Sequence, residues 1–195
     1  MFDLFRPLAL TATLVGAMAL PSAAQETAPA AGTDTAAGTD KAQIAEPYVK
    51  NTYGDWQLRC IKAQDGSDPC ELYQLLKDDK GTSVAEISMV ALPDGEQAVA
   101  GATLTVPLET LLPKQLQLAI DANKPKYYPF LFCAAAGCFA RIGFTADEIA
   151  SMKKGSKATV SVVPIAAPDK VVSVDISLKG FTDAFEAVKA ERPKP

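Results

Sequence analysis

Apolar and polar residues alternate in short runs along most of the chain, and this pattern predicts a protein built mainly of β-strands. Asp55-Trp56-Gln57-Leu58-Arg59-Cys60 places Trp56, Leu58 and Cys60 on one face. After turn signals at Asp65-Gly66 and Asp68-Pro69, a second strand returns over Cys70 to Leu76. Ser83 to Ala91 sets Ala85, Ile87, Met89 and Ala91 on one side, and Leu92-Pro93-Asp94-Gly95 ends the run. Ala98 to Val106 predicts another strand stopped by Pro107, with Leu108 to Pro113 as a bridge. Gln115 to Asp121 puts Leu116, Leu118 and Ile120 on a shared face, and Lys157–Val163 and Lys170–Leu178 give two later strands around a turn at Pro168-Asp169.

Two segments carry helical signals instead. Thr145-Ala-Asp-Glu148 reads as a capping box, Ile149 and Met152 supply the buried side, and Gly155 stops the helix. Phe181, Phe185 and Val188 recur at i, i+4 and i+7 and predict a terminal helix that covers the sheets. Seven to nine regularly spaced strands with two short helices predict an all-β fold, an antiparallel β-sandwich, with a closed barrel as the rival.

The organising stretch is Tyr127 to Phe144, where two aromatic-rich runs flank Cys133-Ala-Ala-Ala-Gly137-Cys138. Its spacing lets the chain fold back into a hairpin stapled by its own sulfurs. Four cysteines allow three pairings. The local one, Cys60 with Cys70 and Cys133 with Cys138, needs the least rearrangement, while the crossed pairings would tie the two hairpins across the sandwich.

The amino end explains why the sulfurs would be oxidised. Arg6 precedes an apolar run from Pro7 to Leu20, and Ser22 and Ala24 suit cleavage before Gln25, so residues 1–24 read as an export signal too short to span a bilayer as a stable helix. Residues 25–46 repeat Ala-Ala-Gly-Thr-Asp at 30–34 and 36–40, contain Ile44 as their one large apolar side chain, and read as a disordered linker. The domain is expected over 47–189, with a flexible tail at 190–195. An exported chain retains disulfides.

Cleavage removes one acid, Asp3, and one base, Arg6, so the net charge of −4 is kept. No basic stripe suggests a nucleic-acid or anionic lipid partner. Histidine is absent, which removes the commonest general base and metal ligand together. Neither cysteine pair has the two-residue spacing or helix start of a redox motif, and the spacing of Cys60 and Cys70 is too wide for a zinc knuckle. Ser88, Ser151 and Ser156 lie in no recognisable Ser–Lys motif, and Asp55, Glu71 and Glu86 are carboxylates on predicted strands that a solvated face explains. The chemistry therefore predicts no catalytic residue, cofactor or metal. Tyr127, Tyr128 and Phe130 form a candidate contact patch, because a strand there must turn some rings outward; core packing is the competing reading.

Several local motifs occur in one order: Gly54-Asp55-Trp56 before Cys60, Pro107-Leu-Glu-Thr-Leu-Leu-Pro113, Phe132-Cys133, Gly137-Cys138-Phe-Ala140, Lys154-Gly155 and Ser177-Leu-Lys-Gly180-Phe181. Over about Tyr53 to Val188 the chain resembles the invasion-associated locus B family of exported bacterial proteins. It departs from that pattern at Lys114-Gln115, where a small residue, often glycine, is expected after the proline. The resemblance implies an immunoglobulin-like sandwich in broad architecture, in the periplasm, secreted or associated with the outer membrane, with no known enzymatic activity. The expectation is a non-enzymatic module that binds a protein partner. Competing readings are an envelope hydrolase or thiol-redox enzyme, and a periplasmic chaperone acting by strand addition.

Overall fold

The computed structural model describes residues 46–192 apart from Asp94 and Glu96. The expected export signal at 1–24 and all of the linker at 25–46 but Glu46 lie outside the described residues.

Alternation becomes two packed antiparallel sheets. Five strands run in succession: β1 (Tyr48–Tyr53), β2 (Trp56–Cys60), β3 (Cys70–Lys77), β4 (Ser83–Ala91) and β5 (Ala100–Val106). A short 3-10 turn at Leu112–Lys114 then leads to β6 (Leu116–Ile120) and β7 (Lys126–Tyr128). The hairpin β8 (Phe130–Ala134) and β9 (Gly137–Phe144) follows, then helix α1 (Ala146–Lys154), β10 (Lys157–Val162), β11 (Val172–Ser177) and helix α2 (Phe181–Ala190). One sheet has the order β1-β2-β3-β4-β5-β9-β8 and the other β11-β10-β6-β7. The sandwich expected from the sequence is thus present, with eleven strands among the described residues rather than seven to nine.

The faces predicted by alternation are the buried ones. Trp56, Leu72, Ile87, Met89, Leu104 and Ile142 of the larger sheet meet Leu116, Val160 and Ile176 of the smaller. Burying such side chains contributes roughly 1.5–3 kcal/mol each before entropy is subtracted. One polar group crosses this core: the Gln74 amide accepts from the Ser177 backbone N–H at 2.8 Å and donates to the Ser177 carbonyl at 3.0 Å. Indole Nε1 of Trp56 donates to that same carbonyl at 2.8 Å. A buried amide with both ends satisfied fixes the position of β11 over β3.

α2 closes one end of the sandwich. Phe181 packs its ring 5.4 Å from Trp56 and 5.7 Å from Phe185, and Ala184 and Val188 complete the buried stripe. Its start crosses the β1–β2 turn at backbone contact. Gly54 and Gly180 have φ of +58° and +82°, and a Cβ on Gly54 would stand 2.5 Å from the Lys179 carbonyl oxygen. The helix includes Ala190, and Arg192 donates to the Leu92 carbonyl, so ordered structure continues past the point where the tail was expected to begin.

α1 has the predicted cap. The Thr145 hydroxyl accepts from the Glu148 N–H while Glu148 accepts from the Thr145 N–H. The departure at Gln115 has a structural counterpart: this residue follows the 3-10 turn with φ 59° and ψ 163°, a region that favours glycine.

Candidate functional surfaces

Strand β8 is made by its disulfide and its position. Cys133 pairs with Cys138 across the hairpin, Ala134 with Gly137, and the Cys133–Cys138 bond closes the end. Gly137, at φ +146°, sits where a Cβ would overlap the Val106 carbonyl, so the turn lies flush against β5. The second bond joins Cys60 to Cys70, also cross-strand partners, and both local pairings of the sequence analysis are present with no free cysteine.

The aromatic run does not form one strand. Pro129 divides it: Lys126–Tyr128 pairs with β6 in the smaller sheet, whereas Phe130–Ala134 pairs with β9 in the larger. Consequently the three aromatic residues singled out by the sequence have different settings. Tyr127 is 56% exposed. Tyr128 and Phe130 are half-buried against the core, and burial raises the Tyr128 phenol above its ordinary range. Two neighbours that the pattern did not single out are outward instead: Leu131 is 56% and Phe132 52% exposed, with Phe132 stacked 4.8 Å from Phe139. A bulge between Phe130 and Phe132 accounts for Leu131, because an extra residue reverses the in–out alternation.

β8 also differs from the other sheet edges. β1 carries Lys50, paired with Glu191 at 2.7 Å, and a register shift. β11 carries Asp175, which binds Lys157 at 2.7 Å. β7 has three residues, includes Lys126 and lies between Pro125 and Pro129. Charge, shortness and proline discourage pairing with a foreign strand. β8 has no charged residue over its five positions, and its bulge is its one irregularity.

A second surface lies on the outer face of the larger sheet. Gln57, Tyr73, Ser88, Thr103 and Arg141 stand directly opposite one another across five strands. Beside that row Val90 faces Gly101 and Gly101 faces Gly143, leaving a lane without side chains over β5 and β9. The result is an open trough of about 440 Å³ lined by Glu71, Ser88, Val90, Thr103 and Arg141 above the two glycines. Burial raises the Glu71 carboxyl above its ordinary range, opposed by a hydrogen bond with Ser88 and by the charge of Arg59. The Arg59 guanidinium lies 3.2 Å above the Tyr73 ring, and the Tyr73 hydroxyl donates to Glu86 at 2.8 Å.

Carboxylates and serines named by the sequence analysis do not assemble into a common cleft. Glu71 and Glu86 share a sheet face, but Glu86 lines a different hollow, and Asp55 accepts from the Ser177 hydroxyl. Ser151 donates its hydroxyl to the Asp147 carbonyl in α1, and Ser156 follows the helix. Among the described residues no three Cys, Asp or Glu side chains come together as a metal site.

Residues 56–189 match the family model described as Invasion associated locus B (IalB) protein. Two curated relatives, invasion protein B homologs of Brucella abortus strain 2308 and of Brucella abortus biovar 1 strain 9-941, are each 29% identical over 146 residues, covering 73% of this chain and 80% of theirs. A crystal structure of invasion associated protein b from Bartonella henselae superposes with a TM-score of 0.62 at 26% identity, covering 72% of this chain and 94% of that one.

Proposed function

We propose, on the premise that this chain belongs to the invasion associated locus B family, that it is an exported, non-enzymatic envelope protein whose sandwich displays β8 to a protein partner. The observation that carries this reading is the β8 edge: unpaired on its outer side among the described residues, uncharged, and carrying exposed Leu131 and Phe132 with exposed Tyr127 nearby in sequence. An extended partner segment gains main-chain hydrogen bonds along such an edge and apolar contacts at alternate side chains. Rigidity of the edge supports recognition too, since the Cys133–Cys138 bond fixes its end. The export signal read over residues 1–24 and the two disulfides support placement in an oxidising space outside the cytoplasm.

Photocrosslinking in the native envelope tests the partner and the surface together. A photoreactive residue at Leu131 should give a discrete crosslinked protein, lost when Phe132 is changed to Lys, whereas the same probe at Val49 on β1 should not. Absence of a crosslink from Leu131, or equal crosslinking from both edges, would refute the reading.

A further inference from the structure

The core of the sandwich is not filled to its border where β4 and β5 face β10 and β11. Along β4 the inward side chains step down from Met89 and Ile87, both fully buried, to the smaller and half-buried Ala85. Glu86 pairs with Thr105, so Ala85 stands beside Val106 on this wall. The facing wall holds two cross-strand valine pairs, Val160 with Val174 and Val162 with Val172. Valine does not make up for what alanine lacks, and an apolar slot of about 120 Å³ remains between the walls. Val172 shows the gap directly: it shares the inward face of β11 with Val174 and fully buried Ile176, yet it is 52% exposed. Interiors normally leave few voids larger than a water molecule, so folding alone does not call for such a slot.

Its lining turns away polar ligands. Among the described residues it includes no charged side chain, and the hydroxyl of Ser173 is engaged with that of Ser161 at 2.7 Å. Apolar surface continues beyond it: Leu108 follows the lining residue Pro107 and is 50% exposed, and Val171 precedes Val172 and is 57% exposed. We infer that the slot takes up the hydrocarbon tail of a free single-chain amphiphile, such as a fatty acid, and leaves the head in water.

Size and chemistry select this occupant. An apolar cavity of about 150 Å³ binds benzene and stays dry when empty. The present slot is smaller, with room for about four methylene groups at about 30 Å³ for a group the size of water. One unbranched chain fits that space in single file, and its remainder can pass out over the exposed apolar neighbours. A partner protein's side chain would bring backbone amides onto the same apolar rim, where Pro107 has no N–H to offer, whereas an alkyl chain brings no polar group to desolvate. Valine is stiff at χ1, which keeps the walls in place before the ligand arrives.

Octanoate is the probe, titrated below its micelle concentration into the full chain with isotope-labelled valine methyls followed by NMR. Saturable shifts are expected at Val160, Val162, Val172 and Val174 and none at Val49 on β1. Affinity should rise by about fourfold per added methylene from butyrate through hexanoate to octanoate. Ala85→Leu fills the slot and should weaken octanoate binding by about tenfold or more. Val172→Asp should do the same, and as a substitution at a half-exposed residue it stands even if Ala85→Leu perturbs the core. No saturable shift up to about 10 mM octanoate, affinity indifferent to chain length, or parent-like binding by both variants would overturn the inference. So would tighter binding of N-acetyl-leucine amide than of hexanoate, which would give the slot to a protein side chain. Sedimentation with phosphatidylcholine vesicles without any octanoate shift would overturn it in favour of a bilayer. None of these outcomes bears on β8, no residue of which lines the slot.

Discussion

Single residues carry two expectations about stability. Gln115 holds a φ/ψ pair that costs of order 1–3 kcal/mol for a residue with a Cβ, so Gln115→Gly should raise the free energy of unfolding by about 1 kcal/mol in urea denaturation. The resemblance led to a small residue being expected at this point, so an unusual turn was legible here, though not its dihedral angles. Glu71 makes the opposite kind of case. Because burial raises its folded-state pKa, the folded protein binds more protons than the unfolded chain between the ordinary carboxylate range and that raised value. Stability is therefore lost as pH climbs through this window. Glu71→Gln should melt higher than the parent at pH 7, and the difference should vanish below the ordinary carboxylate range. Gln74, by contrast, was invisible in the sequence: it sits at a core position of an alternating strand, and nothing local says that its amide will find the Ser177 backbone 103 positions away.

At the scale of elements, local signals were the reliable ones. The Thr145–Glu148 cap and the Phe181, Phe185 and Val188 stripe can be read because their partners lie within a turn or two of helix. β1 was missed since its middle positions are all exposed and carry no alternation. The aromatic run was mistaken for one strand because period alone cannot tell which sheet each half joins; Pro129 was the available signal. Removing the cap by Thr145→Ala should cost about 1 kcal/mol, measured by thermal or urea unfolding. The disulfides should rank by loop size in the chain-entropy picture. Replacing Cys60 and Cys70 together by Ala should cost about 3 kcal/mol, somewhat more than about 2 kcal/mol for Cys133 and Cys138, as the closed sequence separations are 10 and 5.

For the molecule as a whole, both bridges consume every thiol, so alkylating the protein without reductant should label none of its four cysteines in intact-mass spectrometry. Labelling of either pair would contradict the structure. Class and layer architecture could be read from periodicity, but the surfaces could not: β8 is an edge and Gly101 faces Gly143 because of strand order, a long-range property that no local pattern encodes. The crossing of Gly54 over Gly180 ties together two distant parts of the described chain. The first hairpin among the described residues rests against a segment far along the chain, where Asp55 donates its N–H to the Lys179 carbonyl. A chain shortened to end before Lys179 would lack both the carbonyl to which Asp55 donates and the backbone on which Gly54 rests, so the β1–β2 turn is seated only when the segment leading into α2 is present.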